Sequence, residues 1–214
     1  MRRLPLSGSE VVFSVWPWSL NVNADNCYDY AMNDFEKYRN VKSTPGNRAR
    51  ISSNGMNFTT CRGIRRRILS DNPGTVYRCK DSNKVCRKGF YKIMNFVSPQ
   101  GDFHFYKQVK GIRYRVKAGD TKAKLAKFFK VPANTLPALV PGKTVTIRVN
   151  AWAHKQGWGA NPIYTDAKGN LIIDPRRSSR NYPGLNYSSF CGAYCVKRNK
   201  TASGANSTPG IRSK

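Results

Sequence analysis

The clearest alternation of hydrophobic and polar positions lies between residues 89 and 109. The strings GFYKIMNFV and DFHFYKQV both follow the two-residue period of β-strands, and the SPQG string at residues 98–101 has the composition of a turn. Because successive side chains of a strand point to opposite faces, we expect Phe103 and Phe105 on one face and His104 on the other. The pattern predicts a β-hairpin.

A second patterned unit covers residues 112–149. It contains a strand in RYRVKAGDT, a helix with an apolar stripe in TKAKLAKFFK, a short second helix in PANTLPAL, and a strand in TVTIRV. Asp120 or Thr121 can cap the first helix, because its side-chain oxygen can accept a backbone N–H. We predict a self-contained strand-helix-helix-strand unit.

The main domain is predicted on both sides of this unit. Residues 27–111 form its first part, which begins with the helical string NCYDYAMNDFEKY and includes a short helix at residues 63–70. Residues 150–196 form its second part and contribute closing strands. Residues 197–214 form a basic tail without acidic residues, whose composition is typical of disorder when it stands alone.

Residues 1–26 have two interpretations. Two arginines precede an apolar stretch at residues 11–20, as in a secretory signal. In the other interpretation the segment is extended and its Trp16 and Trp18 lie on the core. The sequence predicts no transmembrane segment, because no apolar run approaches the roughly 20 residues that a membrane span needs.

The charge of the chain indicates its partners. There are 38 basic and 11 acidic residues, for a net charge of +27, although 39% of the residues are apolar and can form a core. Such a charge predicts a polyanionic partner, such as nucleic acid, anionic lipid or an acidic polymer. Basic and aromatic residues also interleave in several strings, which is compatible with nonspecific contact to nucleic acid.

Six cysteines are many for a reducing compartment, and we interpret most of them as disulfide partners. Their spacing lacks the CxxC pairs of zinc sites, so no metal is predicted. No cofactor is predicted either, because the sequence has no P-loop, no GxGxxG and no HExxH. The pairing is left open by the sequence. The disulfide candidates are Cys61, Cys79, Cys86, Cys191 and Cys195.

One cysteine and both histidines form a candidate for nucleophilic catalysis. Cys27 begins a predicted helix, whose dipole favours a thiolate, although the carboxylates of Asp25 and Asp29 oppose it. Without residues 112–149, the strands of His104 and His154 would form one hairpin with both rings on the same surface. The alternative is that Cys27 is disulfide-bonded and that His104 is only a hydrogen-bonded neighbour of nearby polar groups.

The unit at residues 112–149 resembles a LysM domain, a module that binds N-acetylglucosamine polymers such as chitin and peptidoglycan. The resemblance rests on YRVKAGDT, LAKFFKVPANTL and VPGKTVTI. It implies a sugar groove between the loop after the first strand and the loop after the second helix; a spacer or protein-docking role is the alternative. Because the termini of LysM domains lie close together, the resemblance also implies that residues 112–149 can be replaced by a short glycine linker without unfolding the rest of the chain. The implied glycan-binding residues are Gly119, Asp120, Thr121, Leu136 and Leu139.

The strings NCYDYAMN, GDFHFYKQ and WAHKQG resemble NlpC-type cysteine peptidases, and a group of bacterial and large-DNA-virus proteins with NCYAYA-like and DYHFYR-like blocks. The resemblance implies Cys27 as nucleophile, His104 as general base, His154 as the residue that orients it, and Asn26 as an oxyanion donor. The expected fold is α+β: a papain-like antiparallel sheet packed on an N-terminal helix, with a small βααβ LysM-like insert.

Three functions follow as hypotheses. The first is a basic structural component, of the minor capsid type, in the particle of a large DNA virus, with neighbouring capsid proteins or another polyanionic surface as partners. The second is an active cysteine amidase or endopeptidase that acts on a cell-wall polymer and is secreted or wall-associated. The third is a nonspecific nucleic-acid-binding protein. The expected location is the virion for the first hypothesis.

Overall fold

Ten strands and three α-helices lie within residues 3–35, 43–51 and 60–198, the part of the chain that the computed structural model describes. The helices are α1 (Cys27–Met32), α2 (Cys61–Asp71) and α3 (Lys122–Phe129). The strands are β1 (Val11–Phe13), β2 (Val76–Arg78), β3 (Phe90–Ser98), β4 (Asp102–Arg115), β5 (Thr144–Ile147), β6 (Ala151–Lys155), β7 (Pro162–Ile163), β8 (Asn181–Tyr182), β9 (Leu185–Asn186) and β10 (Ser189–Lys197).

The main sheet is mostly antiparallel. Its strand order is β2-β10-β3-β4-β6-β7, and each neighbouring pair in this order is antiparallel. The end of β4 pairs with β5 on one side, and β1 pairs with β4 in parallel. The expected mixture of helices with an antiparallel sheet is therefore confirmed, and β8 and β9 form a separate small hairpin.

The central hairpin of β3 and β4 follows the predicted pattern. His104 pairs with Phe96, and the amide of Gly101 donates to the carbonyl of Ser98 at 3.0 Å to close the turn. Gly101 has a φ of +91°, a backbone conformation that glycine adopts without the steric cost of a Cβ. Strand β4 then continues without interruption to Arg115, across the predicted boundary at residue 112.

The two faces of the sheet pack against different groups. Helices α1 and α2 cover one face, where Phe103 and Phe105 of β4 are buried. The other side chains of this cluster include Tyr28, Ala31, Ile64, Ile68, Tyr91 and Ile93. The opposite face carries His104 and a second buried cluster with Met94, Phe96, Tyr106, Trp152, Ile172 and Tyr187. The predicted alternation of Phe103, His104 and Phe105 is confirmed.

The unit at residues 112–149 has one α-helix rather than two. Helix α3 is capped by Thr121, whose hydroxyl accepts the amide of Lys124 at 3.2 Å. The predicted second helix is a single 3₁₀ turn, Ala133–Thr135. Leu136 is extended, with ψ of 138°, because the proline that follows it disfavours the helical conformation. The expected βααβ plan is therefore corrected at this point.

The core of this unit is continuous with that of the main domain. Leu125, Phe129 and Leu136 are buried in the same cluster as residues from β1, α1 and β6. The side chains contributed from outside residues 112–149 include Phe13, Trp18, Tyr30, Val109, Ala151, Ala153, Leu171 and Ile173. The unit is therefore packed into the domain, not connected to it by its ends alone.

The N-terminal segment lies against β4 through β1. Trp18 is buried, as expected of a residue on the core, whereas the side chain of Trp16 is 64% exposed. Among residues 3–35, 43–51 and 60–198, no helix is long and apolar enough to cross a membrane. Residues 199–214 of the predicted basic tail lie outside the described residues.

Candidate functional site

The two histidines lie side by side in the structure. His104 on β4 and His154 on β6 face the same side of the sheet, and the expectation that their strands are antiparallel neighbours is confirmed. Nε2 of His104 lies 2.8 Å from Nδ1 of His154, and Nε2 of His154 lies 3.0 Å from the carbonyl oxygen of Thr165. The rings and this carbonyl form a continuous hydrogen-bonded chain.

Burial keeps both imidazoles neutral. It lowers the pKa of His154 to about 4, although the bond to Thr165 and the charge of Asp166 act in the opposite direction. Burial also lowers the pKa of His104 well below its usual value, and the neighbouring His154 lowers it further. At neutral pH each ring therefore carries one proton, and the hydrogen bonds determine which nitrogen holds it.

Cys27 is the first residue of α1, as the sequence predicts. Its helix is capped by Asn26, whose side-chain oxygen accepts the amides of Tyr28 at 2.7 Å and Asp29 at 3.3 Å. The carboxylate of Asp29 accepts the amide of Asn26 at 2.8 Å, which completes a capping box. This arrangement places the thiol at the end of α1 where backbone N–H groups concentrate positive potential.

Asn26 is engaged as a structural residue. In addition to its cap bonds, its amide nitrogen donates to the carbonyl of Ser43 at 2.6 Å. The side-chain amide that was expected to stabilise an oxyanion is thus already used to hold the start of α1 against residues 43–51. We therefore give Asn26 a positioning role at this helix end.

The thiol of Cys27 contacts the strand that carries His104. It donates to the carbonyl oxygen of Phe103 at 3.7 Å. Phe103 precedes the part of β4 that pairs with β6, which runs from Lys107 to Val109. Standard peptide geometry places a carbonyl oxygen about 3 Å from the next Cα, so the sulfur lies within about 7 Å of the His104 Cα. Cys27 packs in the cluster on the Phe103 face, whereas the ring of His104 lies on the opposite face of the sheet. The structure therefore brings the two histidines together and places the thiol across β4 from the His104 imidazole.

The electrostatic surroundings of Cys27 are mixed. Lys155 is buried and donates to the carbonyl of Val22 at 2.7 Å, and burial lowers its pKa. Three groups raise the pKa of this lysine when they are ionised and are therefore close to it: Asp25, Cys27 and Asp29. The ammonium group stabilises a thiolate at Cys27, whereas the two carboxylates disfavour it, as the sequence indicated.

A cavity of about 220 Å³ opens beside His104. The ring of Tyr187 stacks on that of His104, with centroids 4.8 Å apart, and the Tyr187 hydroxyl donates to Asp102 at 2.9 Å. Burial raises the pKa of Tyr187, and Cys27 in its ionised form raises it further. The sulfur of Cys27 is therefore close enough for a thiolate to act on a ring in contact with His104. The other lining residues are Gln156, Tyr182, Pro183 and Leu185.

Four of the five disulfide candidates are paired. The bridges are Cys61–Cys191, between α2 and β10, and Cys86–Cys195, between the β2–β3 loop and β10. Cys79 is in neither bridge, although its sulfur lies 3.1 Å from that of Cys195. Cys27 is in neither bridge, so the alternative that it is disulfide-bonded is wrong.

The residues expected to bind glycan have structural contacts. The Asp120 carboxylate accepts the Tyr114 hydroxyl at 2.9 Å and the Lys117 amide at 2.7 Å, and Thr121 caps α3. Leu136 is buried in the shared core, and Leu139 packs against the same cluster. Gly119 occupies the turn before α3 with a φ of +78°. A glycan role for these residues stays a prediction.

Sequence reasoning missed two residues that contact the histidines and one near Cys27. Thr165 contributes a backbone carbonyl, and no side-chain signal identifies such a group. Tyr187 lies 83 positions after His104 and reaches it only through the β9–β10 region. Lys155, next to His154 in AWAHK, could have been found, because strand alternation places it on the α1 face, opposite the histidine.

Comparison of this chain with protein-family models, with curated proteins and with solved structures found no match.

Proposed function

We propose that the protein is a cysteine hydrolase of the amidase or endopeptidase type, with Cys27 as nucleophile, His104 as general base and His154 as the orienting residue. The observation that carries the proposal is the hydrogen-bonded chain from His104 through His154 to the carbonyl of Thr165. A cysteine nucleophile needs a base whose ring is held in one tautomer, and this chain supplies that constraint.

The tautomers follow from the partners. A carbonyl only accepts, so Nε2 of His154 must carry a proton, and a neutral His154 then has a bare Nδ1. That Nδ1 accepts from Nε2 of His104, which leaves Nδ1 of the neutral His104 as the basic nitrogen. Among the hydrogen bonds described for residues 60–198, none involves this nitrogen. It is therefore the group in the pair that can receive the thiol proton.

The proposed reaction uses these groups in two steps. Because Cys27 and the His104 ring lie on opposite faces of β4, the proposed step needs a bridging water through which the Cys27 proton reaches Nδ1 of His104 as the sulfur attacks the amide carbonyl carbon. His104 then returns a proton to the amine as the C–N bond breaks. Water, deprotonated by His104, hydrolyses the resulting thioester and regenerates the thiol.

The cavity beside His104 is the proposed substrate pocket. A volume of about 220 Å³ accommodates a single small side chain, and the walls combine tyrosine rings with the polar end of Gln156. The β8–β9 hairpin contributes Tyr182 and Leu185 to one side. We therefore propose a short peptide amide as substrate, in line with a cell-wall peptide. We also propose that the arrangement is papain-like and that residues 112–149 are LysM-like.

The test is thiol-dependent hydrolysis of peptidoglycan and peptide amides by the full chain. We expect Cys27→Ala and His104→Ala to abolish activity while the circular dichroism spectrum is unchanged, and Cys79→Ala, which removes the other thiol outside the two bridges, to retain it. A labelled amide probe that reacts with catalytic thiols should attach to Cys27, which would identify this residue as the nucleophile. Equal activity of Cys27→Ala and the unsubstituted chain would overturn the proposal.

A structural role in a virus particle is a second candidate, supported by two bridges and the net charge of +27. Both bridges tie β10 to distant parts of the chain and would stiffen a particle component. Quantitative mass spectrometry of purified virions tests this role, with a fixed copy number as the expected result. Its absence from virions would leave the hydrolase as the better assignment.

A further inference from the structure

A groove separates the N-terminal segment from the end of β4. Strand β1 pairs with β4 as far as Phe13 and Ile112, after which residues 14–16 diverge from the strand. The resulting cavity of about 560 Å³ is lined by residues 13–16, by residues 113–115 and Lys117, and by Thr144 and Tyr164. It shares no lining residue with the cavity beside His104.

The rim of this groove exposes apolar side chains. In the described part of the chain eight large apolar side chains are exposed, and four of them lie between residues 12 and 20. Two of these four, Val15 and Trp16, line the groove. Trp16 has the largest exposure of the eight, at 64%, and the half-buried Tyr114 and Tyr164 line the same groove. A concentration of exposed apolar surface next to a cavity is typical of a binding site.

Positive charge accompanies these rings. Arg113, Arg115 and Lys117 are exposed and line the groove at alternate positions, so successive charges are separated by about 7 Å along an extended chain. No lining residue is acidic. The neighbouring Asp120 has its carboxylate engaged by the Tyr114 hydroxyl and the Lys117 amide.

We propose that this groove binds single-stranded nucleic acid, with a base stacked on Trp16 and phosphates on Arg113, Arg115 and Lys117. An unpaired base offers a planar face to an exposed indole, which a duplex does not, and successive phosphates of an extended strand have a spacing similar to that of the three cations. An acidic peptide would match the charge but not the exposed ring. The proposal is independent of the hydrolase assignment, because neither Cys27 nor the histidines take part.

The experiment uses fluorescence anisotropy to measure the binding of a fluorescein-labelled oligo(dT) of 12 nucleotides to the full chain at a series of salt concentrations. We expect Trp16→Ala to weaken binding about tenfold or more, and Trp16→Phe to restore most of it. The matched control is Trp158→Ala, because Trp158 is also exposed, at 47%, and does not line the groove. It should leave the affinity unchanged.

The charge contribution is tested in the same assay. Replacing Arg113, Arg115 and Lys117 with alanine should reduce the slope of log affinity against log salt concentration by about 2, since each phosphate contact on a single strand contributes about 0.7. The control replaces three exposed lysines elsewhere, Lys80, Lys84 and Lys88, and should leave that slope unchanged.

Three results would overturn the proposal. Equal loss of affinity in the two triple variants would show charge-driven binding over the whole surface. Equal affinity for a duplex of the same length, with no effect of Trp16→Ala, would remove the stacking role. Trp16-dependent binding of a sulfated oligosaccharide but not of oligo(dT) would assign the groove to an anionic glycan. Thermal unfolding of each variant establishes that the fold is retained.

Discussion

The hydroxyl of Tyr28 donates a 3.0 Å hydrogen bond to the carboxylate of Asp71, and this bond joins the helix that begins at Cys27 to the end of α2. The same carboxylate accepts the amides of Gly46 at 2.7 Å and Ala49 at 2.9 Å. Burial raises the pKa of Asp71, although these bonds act in the opposite direction. One carboxylate therefore holds α1, α2 and residues 43–51 together.

This relationship predicts an order of stabilities. Tyr28→Phe removes one donor and should lower the free energy of unfolding by about 1 kcal/mol, whereas Asp71→Ala leaves three donors without an acceptor and should cost about 3 kcal/mol. Urea unfolding measures both values. Tyr77→Phe, which removes a hydroxyl at an exposed contact with the Arg87 amide, serves as the control. Equal values for Tyr28→Phe and Asp71→Ala would contradict the assignment of Asp71 as the common acceptor.

His154 predicts a pH dependence of stability. Its pKa is about 4 in the folded chain and 6.5 ordinarily, so the unfolded chain binds the proton first as the pH falls. The stabilisation is complete above pH 6.5, decreases between pH 6.5 and about 4, and amounts to about 3 kcal/mol. The shift of His104 has the same sign.

Urea unfolding between pH 4 and 7.5 tests this dependence, with His154→Gln as the comparison because glutamine does not titrate. The variant should show a shallower loss of stability on acidification. The same pKa directions imply that any hydrolase activity retains its neutral base below pH 6.5. Identical pH profiles of stability for the two proteins would show that His154 is not held neutral by the fold.

The sequence predicted the local parts of the fold and of the site. The alternation around His104 identified its strand and the face on which its ring lies. When residues 112–149 are left out of the pattern, the strand of His154 follows directly and is expected to pair with that of His104. The sequence also identified Cys27 at a helix start, since Asn26 and Asp29 form a local capping box. Apart from the pairing of the two histidine strands, these features depend on residues within a few positions of one another.

Long-range features were not accessible in the same way. The partners of Cys61 and Cys86 are 130 and 109 positions away, and nothing in the spacing distinguishes Cys79 from Cys86. The extension of β4 through residue 112 depends on its pairing with β1 and β5, which no local pattern reports. The burial of Lys155 depends on carbonyls from Val22 and Gly157 that only the folded chain brings together.

The disulfides give a third prediction. Each bridge closes a loop of more than 100 residues, for which loss of the bridge typically costs about 2–5 kcal/mol. Cys195→Ser should show that loss. Cys86→Ser should lose less, because the sulfur of Cys79 lies 3.1 Å from that of Cys195 and can replace Cys86 when oxidised glutathione is the electron acceptor.

Peptide mapping under non-reducing conditions identifies the bridges, and urea unfolding gives the stability. In the unsubstituted chain we expect Cys61–Cys191 and Cys86–Cys195, with Cys79 open to alkylation. In Cys86→Ser we expect a Cys79–Cys195 bridge, which the double variant with Cys79→Ser cannot form. If the single and double variants are equally unstable and neither contains that bridge, the proposed replacement does not occur.

The fourth prediction concerns the core shared by residues 112–149 and the main domain. Phe129 is fully buried, and its ring contacts those of Tyr114 at 5.6 Å and Tyr164 at 5.9 Å, the latter outside the unit. Phe129→Ala should cost about 3–5 kcal/mol. Because the cluster is continuous, amide hydrogen exchange should become faster in β6, near His154, as well as in α3. Phe128→Ala, at a partly buried position, should have a smaller effect.

Deletion of residues 112–149 extends the same test. It would expose Phe13, Ala151 and Ala153 and remove the partner strand β5, so we expect little soluble folded protein even with a short glycine linker. This result differs from the expectation for a self-contained insert, which can be removed at little cost because its ends lie close together. Two results together would show that the unit has a separate core: amide exchange in Phe129→Ala that is faster only within residues 112–149, and a deletion variant that still folds. Both measurements should instead show one cooperative unit, since the side chains of α3 complete the packing around the strand that carries His154.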